Sequence, residues 1–390
     1  MKVLIIGGGP AGSTAAETLA RRGVEVVLLE RNIHYSKPCG GGIPSTVVEE
    51  FSISEAVIER RVDQAHFHAP RGREAVIKLP KGYIGMVSRE VFDGYLRQRA
   101  LEAGVHLIQG SFTSMEVKKD RVKAFYLNKG GDKKSEMEIS ADALIGADGA
   151  HSRVAHLLGL KPEKVAMALQ ERLSLYEAGM ALFENGCHFY FSKEVSPHYY
   201  GWVFPKGDHV VLGTATHAGK TRDLPTLLDN LKARAGLNGY QVLKKEAFPL
   251  PIRPLPSLAH DRILLIGDAA GLVAPATGEG IYYAMKSGEM AALTLIENAR
   301  SLTKRNLREY QRRWWRRFGM TFRLLEWIQE RYYGDERAME AFVELLAELN
   351  VETPPRGAIN PNWLRRPGRL GRAASLQILA FLIGHFLIKR

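Results

Sequence analysis

Cysteine is nearly missing from this chain, with two in 390 residues, Cys39 and Cys187. Two thiols exclude a disulfide framework and point to a reducing, cytoplasmic setting. No CxxC or HExxH spacing occurs, so no metal site is expected. A run of about 20 apolar residues, the length a spanning helix needs, is also absent. The nearest approach, LQILAFLIGHFLI at Leu376–Ile388, is too short. The opening MKVLIIGGGPAG places its glycines too early for a signal-peptide core. There are no internal repeats. Acidic residues are outnumbered, 42 against 54 basic, for a net charge of +12. That balance suggests an acidic partner: nucleic acid, anionic lipid or a phosphorylated small molecule. Composition alone does not choose among them. With 45% hydrophobic and 25% charged residues, the chain can build a globular core.

What is present begins at the N-terminus. KVLIIGGGPAGSTAAETLARRGVEVVLLER reads as strand, tight turn, helix, strand. Val3–Ile6 is continuously apolar, as a parallel strand buried on both faces is. Gly7, Gly9 and Gly12 form G-x-G-x-x-G at the strand-to-helix turn. A helix is expected over Ser13–Arg22, ended by Gly23, with a second strand at Val26–Leu29 closed by Glu30. In that context the glycines admit a pyrophosphate to the helix N-terminus. Glu30 is placed to accept hydrogen bonds from a ribose.

Further along, Arg89 precedes a helix expected from Glu90 to Ala103, and RVKAFYLN and KSEMEISADALIG read as strands joined through NKGGDKK. From about Glu171 the pattern changes. CHFYFS, YYGWVF and HVVLGTA alternate like antiparallel strands, with a hairpin turn at Pro205–Asp208. RILLIGDAAGLVAPATGEGIYYAM then returns to strand, glycine-rich loop and helix. The last quarter is helical and basic. Its Arg312–Arg317 run has two readings, a solvated helix with aromatic anchors or a phosphate- or membrane-facing surface.

Three separated segments, GGGPAGSTAA…LLER, GADGAHSRV and LLIGDAAGLVAPATGEGIYYAM, together resemble the FAD-binding elements of the p-hydroxybenzoate-hydroxylase-like flavoproteins. KPCGGGIP at Lys37–Pro44, GYIGMVSREVFDGYLRQRA and YYGWVFPK narrow the likeness to the geranylgeranyl reductase branch. Within that branch, VAPATGEGIYYAM looks like the chlorophyll and bacteriochlorophyll type. The resemblance runs from Met1 to about Tyr333 and implies an α/β fold. That fold is a Rossmann-like FAD-binding domain, an inserted antiparallel-sheet substrate domain and a helical C-terminal region. The expected boundaries are 1–165 with 251–300 for FAD, 166–250 for substrate, and 301–390 for the basic helices and apolar tail. By resemblance, the FAD-binding positions include Gly7, Gly9, Ala11, Gly12, Glu30, Cys39 and Gly40. Gly42, Arg89, Thr113, Asp268, Gly280 and Ile281 complete the set.

KPCGGGIP raises its own question, because consecutive glycines cost conformational entropy. A tight turn beside an inert thiol is one answer. The family likeness implies another, a backbone lying against the flavin ring with Cys39 at the mouth of the site. YYGWVFP likewise reads as an ordinary core face or, through Tyr200, Trp202 and Phe204, as the wall of a cavity for a long apolar chain. The resemblance implies hydride transfer from reduced FAD to a C=C bond of a geranylgeranyl group, converting it to phytyl. The substrate is a prenyl diphosphate or a prenylated pigment, and no nucleic-acid role is expected. No second nucleotide fingerprint is present, so NADPH visits transiently or a reduced carrier donates the electrons. Cys39, Tyr199, Tyr200 and His198 are candidate proton donors, with Cys39 preferred by location. The tail is expected to rest on a membrane surface or to pack on the body. Rival readings are a reductase of archaeal-type lipids or quinone side chains, a monooxygenase of the same fold, and a non-catalytic flavoprotein.

Overall fold

The computed structural model describes residues 1–79, 82–128 and 135–348. These form two compact units, each built from several stretches of chain.

The first unit comprises Met1–Lys37, Arg89–Val165 and Leu250–Met320. Its centre is the apolar strand Lys2–Ile6, where Val3, Leu4 and Ile5 are fully buried. That strand pairs in parallel with Glu25–Glu30 on one side and Ala143–Gly146 on the other. His106–Val117 and Ile263–Leu265 extend the parallel set outward. Antiparallel strands Val122–Asn128, Glu136–Ala141 and Ala259–His260 complete eight strands. Helices Pro10–Ala20 and Ile281–Glu297 pack together closely, because Gly288 lets its helix reach Ala11 O. The arginine–tryptophan run of this unit supplies both a buried anchor and surface ion pairs, with Trp315 left exposed. Trp314 is buried against Tyr283 and Phe318, while Arg313 pairs with Glu297 and Arg312 with Glu309.

The second unit comprises Pro38–Ser88, Ala166–Pro249 and the described residues from Thr321 onward. It holds a seven-stranded sheet and a small three-stranded one of Gly42–Pro44, Ile84–Met86 and Arg60–Val62. The large sheet contains the expected strands Gly186–Tyr190, Gly201–Pro205 and Val210–His217, the last two joined at Pro205–Asp208. One face packs Leu173, Val203, Val210 and Leu212 under Leu228 and Leu231 of the helix Leu224–Arg234.

Three features differ from the sequence expectation, the first being that the expected C-terminal region is divided: its residues as far as Met320 belong to the first unit, and those described from Thr321 onward to the second. Residues 38–88 cluster with the second sheet instead of the first unit. Gln64–His68 also pairs with Gly186–Tyr190 in parallel, so the sheet is mixed rather than wholly antiparallel. The reason is a strand, QAHFH, whose polar residues hide its two-residue period. The apolar tail and its flanking arginines lie outside the described residues.

Candidate active site

In the first unit the glycine loop is shaped by its own backbone. A Cβ on Gly12 would overlap Gly7 O, and one on Gly7 would overlap Ala147 O. Gly7 also takes a φ of +104°, which disfavours other residues. At Gly9, by contrast, an added Cβ would meet nothing within 4 Å. Gly9 caps the helix Pro10–Ala20, whose first-turn amides receive no side-chain cap. These free amides and the open space above Gly9 fit a pyrophosphate at a helix N-terminus. Glu30 is held by the amides of Gly8, at 2.7 Å, and Asn32, at 2.8 Å, which leaves lone pairs of its carboxylate for a ribose hydroxyl. The donor set therefore suits FAD, which would be held by Gly9, Ala11, Gly12 and Glu30.

The later elements complete the cradle. Asp268 follows the strand Ile263–Leu265, and Gly280 caps the helix Ile281–Glu297 without a side-chain bond. An added Cβ on Gly280 would stand 3.8 Å from Asp268 Oδ1, so Asp268, Gly280 and Ile281 come together as expected. Asp268 is ion-paired with Lys37. Arg89 forms a buried bidentate pair with Asp93, at 2.8 and 2.7 Å. Thr113 sits at a register shift of its strand, its hydroxyl 3.4 Å from Glu136 and its carbonyl bonded by Arg153. Asp148 of the ADG segment accepts from Ser152 Oγ and from the amides of Arg153 and Val154. Burial pushes its carboxyl upward while those bonds oppose the shift.

Sequence reasoning missed Arg97. Its guanidinium donates to Gly8 O at 3.0 Å and to Ile33 O at 2.7 Å, fixing the glycine loop from the neighbouring helix Arg89–Glu102. No spacing rule marks it, because the contact joins residues far apart in sequence.

In the second unit each glycine of KPCGGGIP has a close neighbour, and at Gly40 and Gly41 that neighbour excludes a side chain. A Cβ on Gly40 would stand 2.8 Å from the Phe204 ring, and one on Gly41 would stand 2.5 Å from Lys206 Nζ. Cys39, half-buried, accepts from Gly41 N at 3.3 Å. Around this turn lies an aromatic face. Phe189 meets Tyr200 and Phe204 edge-on at 5.3 Å, and Tyr200 meets Trp202 at 6.3 Å. Trp202 is buried, and its Nε1 finds no hydrogen-bond partner among the described residues.

The other candidate donors lie at the start of the strand Gly201–Pro205. The His198 ring lies tilted against His217, centroids 4.0 Å apart, and Tyr199 OH is 3.3 Å from His217 Nδ1. Burial, reinforced by His217 and two lysines, pushes His198 down to about 4, and burial pushes Tyr199 up to about 12. The Cys39 turn instead packs at Phe204 and Lys206, at the strand's far end. Cys187 is buried, 3.7 Å from Met86 Sδ, and burial pushes its thiol up to about 12. Only Cys39, of the two thiols, is open to a reacting partner.

Comparison with known proteins identifies the family. The family model for an FAD binding domain matches residues 1–317. A chloroplastic geranylgeranyl diphosphate reductase of Nicotiana tabacum is 40% identical over 369 residues, covering 90% of this chain and 79% of the relative. A geranylgeranyl diphosphate reductase of Synechocystis is 38% identical, with 90% of each chain covered. Among solved structures, a geranylgeranyl bacteriochlorophyll reductase-like protein of Thermoplasma acidophilum superposes with a TM-score of 0.81. It covers 89% of this chain and 91% of its own at 24% identity, and so supports the fold. A glycine loop built for a dinucleotide, a second carboxylate at the capping glycine of a late helix, and these identities lead to one assignment: the chain belongs to the geranylgeranyl reductase family of FAD-binding flavoproteins.

Proposed function

We propose that this chain saturates isolated C=C bonds of a geranylgeranyl group, carried as a diphosphate or as a pigment ester. The observation that carries the reading is the 40% identity to a geranylgeranyl diphosphate reductase across 90% of the chain. Bound FAD, once reduced, supplies the hydride. The electrons come from NADPH or a small reduced carrier.

The chain's own residues then do three things. Tyr200, Trp202 and Phe204 offer an apolar wall for the prenyl chain, which holds an unpolarised double bond in place and keeps water out. Gly40, Gly41 and Gly42 keep the adjoining backbone thin. Cys39 supplies the proton that the second carbon needs; of the other candidates, His198 and Tyr199 are engaged with His217 at the other end of the strand, and the Tyr200 ring packs among Phe189, Phe191 and Trp202 as part of the apolar wall.

The test is anaerobic. FAD-loaded protein reduced with dithionite is mixed with geranylgeranyl diphosphate, geranylgeranylated pigment or an archaeal-type prenyl lipid, and products are read by mass spectrometry. Gains of two hydrogens per step on the diphosphate or the pigment are expected. Reduction of the archaeal-type lipid alone would move the substrate class. Product formation only in the presence of oxygen would replace the reading with a monooxygenase.

A further inference from the structure

The second unit buries a cation that the reaction outlined above does not use. Lys206 follows the strand Gly201–Pro205 and is 3% exposed. Its place is well determined. Its N–H donates to His209 O at 2.7 Å, closing the hairpin, and its carbonyl accepts from Arg60 Nε at 2.7 Å. The ammonium donates to Val87 O at 2.9 Å. That is the one acceptor recorded for it among the described residues, although an ammonium carries three donors. Burying a charge with so little compensation is costly, so its retention calls for a further partner.

The geometry names that partner. The ammonium lies under Gly41, where a Cβ would stand 2.5 Å from Nζ. Gly41 N donates to Cys39 Sγ at 3.3 Å, and Gly41 O accepts from Val87 N at 2.8 Å. Thiol and ammonium thus lie against the same glycine, and the acceptor of the ammonium belongs to the residue that pins that glycine.

We propose that Lys206 is a positioning residue for Cys39: its ammonium fixes the Cys39–Gly42 turn through Val87 and balances the charge on the sulfur once the thiol has given up its proton. The inference rests on the reading of Cys39 as proton donor. In that step the S–H bond would break and a C–H bond would form on one alkene carbon, the other carbon taking the hydride that bound FAD would supply. Sulfur keeps the electron pair as a thiolate. Sulfur is then reprotonated from water while the Lys206 ammonium keeps its charge. Burial, aided by Arg172, pushes Lys206 down to about 8, while Cys39, Glu59 and Cys187 oppose the shift.

The test needs no substrate, so its failure and that of the reductase assay are separable. FAD-loaded protein is treated with iodoacetamide, and alkylation of Cys39 is followed by mass spectrometry. Cys187 is buried and stays silent on this timescale. At about pH 7, Lys206→Met slows alkylation about tenfold, whereas Lys206→Arg stays within about threefold of the unaltered protein. Circular dichroism and flavin absorbance confirm that both variants are folded and loaded. An unchanged rate in Lys206→Met, or an equal loss in both variants, overturns the proposal. Should Lys206→Met not fold, the ratio of the Lys206→Arg rate to that of the unaltered protein decides. It rises between about pH 7 and about pH 9.5, because only arginine keeps its charge. A flat ratio overturns the proposal equally.

Discussion

Gly12 carries the strongest single-residue constraint in the dinucleotide loop. Its missing Cβ is what lets the helix Pro10–Ala20 start directly above Gly7. Gly12→Leu is expected to give colourless or unfolded protein, and full FAD occupancy in that variant, read by absorbance after gel filtration, would refute the assignment. Cys39→Ala is expected to keep FAD and slow single-turnover reoxidation of the reduced flavin by substrate. Cys39→Ser stays slow as well, since an alcohol is a far weaker acid than a thiol. Wild-type rates in Cys39→Ala would remove the thiol from the reaction. Lys206 makes a pH prediction of its own. Its folded-state value, about 8, lies below the ordinary 10.5, so between those limits the unfolded chain binds more protons. Its charge therefore opposes folding below about pH 8, and that cost fades as pH rises, by roughly 3 kcal/mol in all. The stability gap between Lys206→Met and the unaltered protein, from urea midpoints, is expected to shift in favour of the unaltered protein from pH 7 to pH 10. At this scale the glycines and Glu30 were legible, because local backbone geometry demands them. Arg97 and Lys206 were not, because their partners, Gly8 and Val87, lie far away in sequence.

Among the elements, the pairing of helices Pro10–Ala20 and Ile281–Glu297 decides the cofactor cradle. Both begin at a capping glycine, and Gly288 sets how closely they approach. A side chain at 288 would overlap Ala11 O, so Gly288→Val must part the helices. Overpacking of this kind costs about 1–3 kcal/mol. Thermal unfolding should fall accordingly, and FAD should dissociate faster on dilution; unchanged unfolding and flavin release would show that the crossing has slack. The strands of the first unit could be read from their apolar runs, which survive burial on both faces. Gln64–His68 escaped because histidines occupy one of its faces. His66 stacks on His188 at 4.3 Å and His68 on Tyr190 at 4.2 Å, so aromatic contact replaces the aliphatic signal. Its neighbour Glu74–Lys78 does alternate, but a short strand with charged ends reads equally well as a loop.

For the molecule as a whole, charge and the tail bear on where the enzyme meets so apolar a substrate. No helix among the described residues is long and apolar enough to cross a membrane. The net charge is +12, and Arg365, Arg366, Arg369, Lys389 and Arg390 flank the apolar stretch Leu376–Ile388. Basic residues beside an apolar segment too short to span suit an anionic lipid surface, where each charge adds about 1 kcal/mol near the headgroups. The two contributions can be separated. The full chain is expected to co-sediment with vesicles containing phosphatidylserine or phosphatidylglycerol, and the bound fraction should fall as salt screens the surface. Removing Ser375–Arg390 should weaken binding further and leave FAD absorbance intact. Neutral vesicles should retain little of either form, since the apolar segment by itself gives a weak anchor. Equal binding of full and shortened chains would assign the surface affinity to the body's charge. Loss of FAD on shortening, with no vesicle binding by the full chain, would instead make the tail a packing element of the fold.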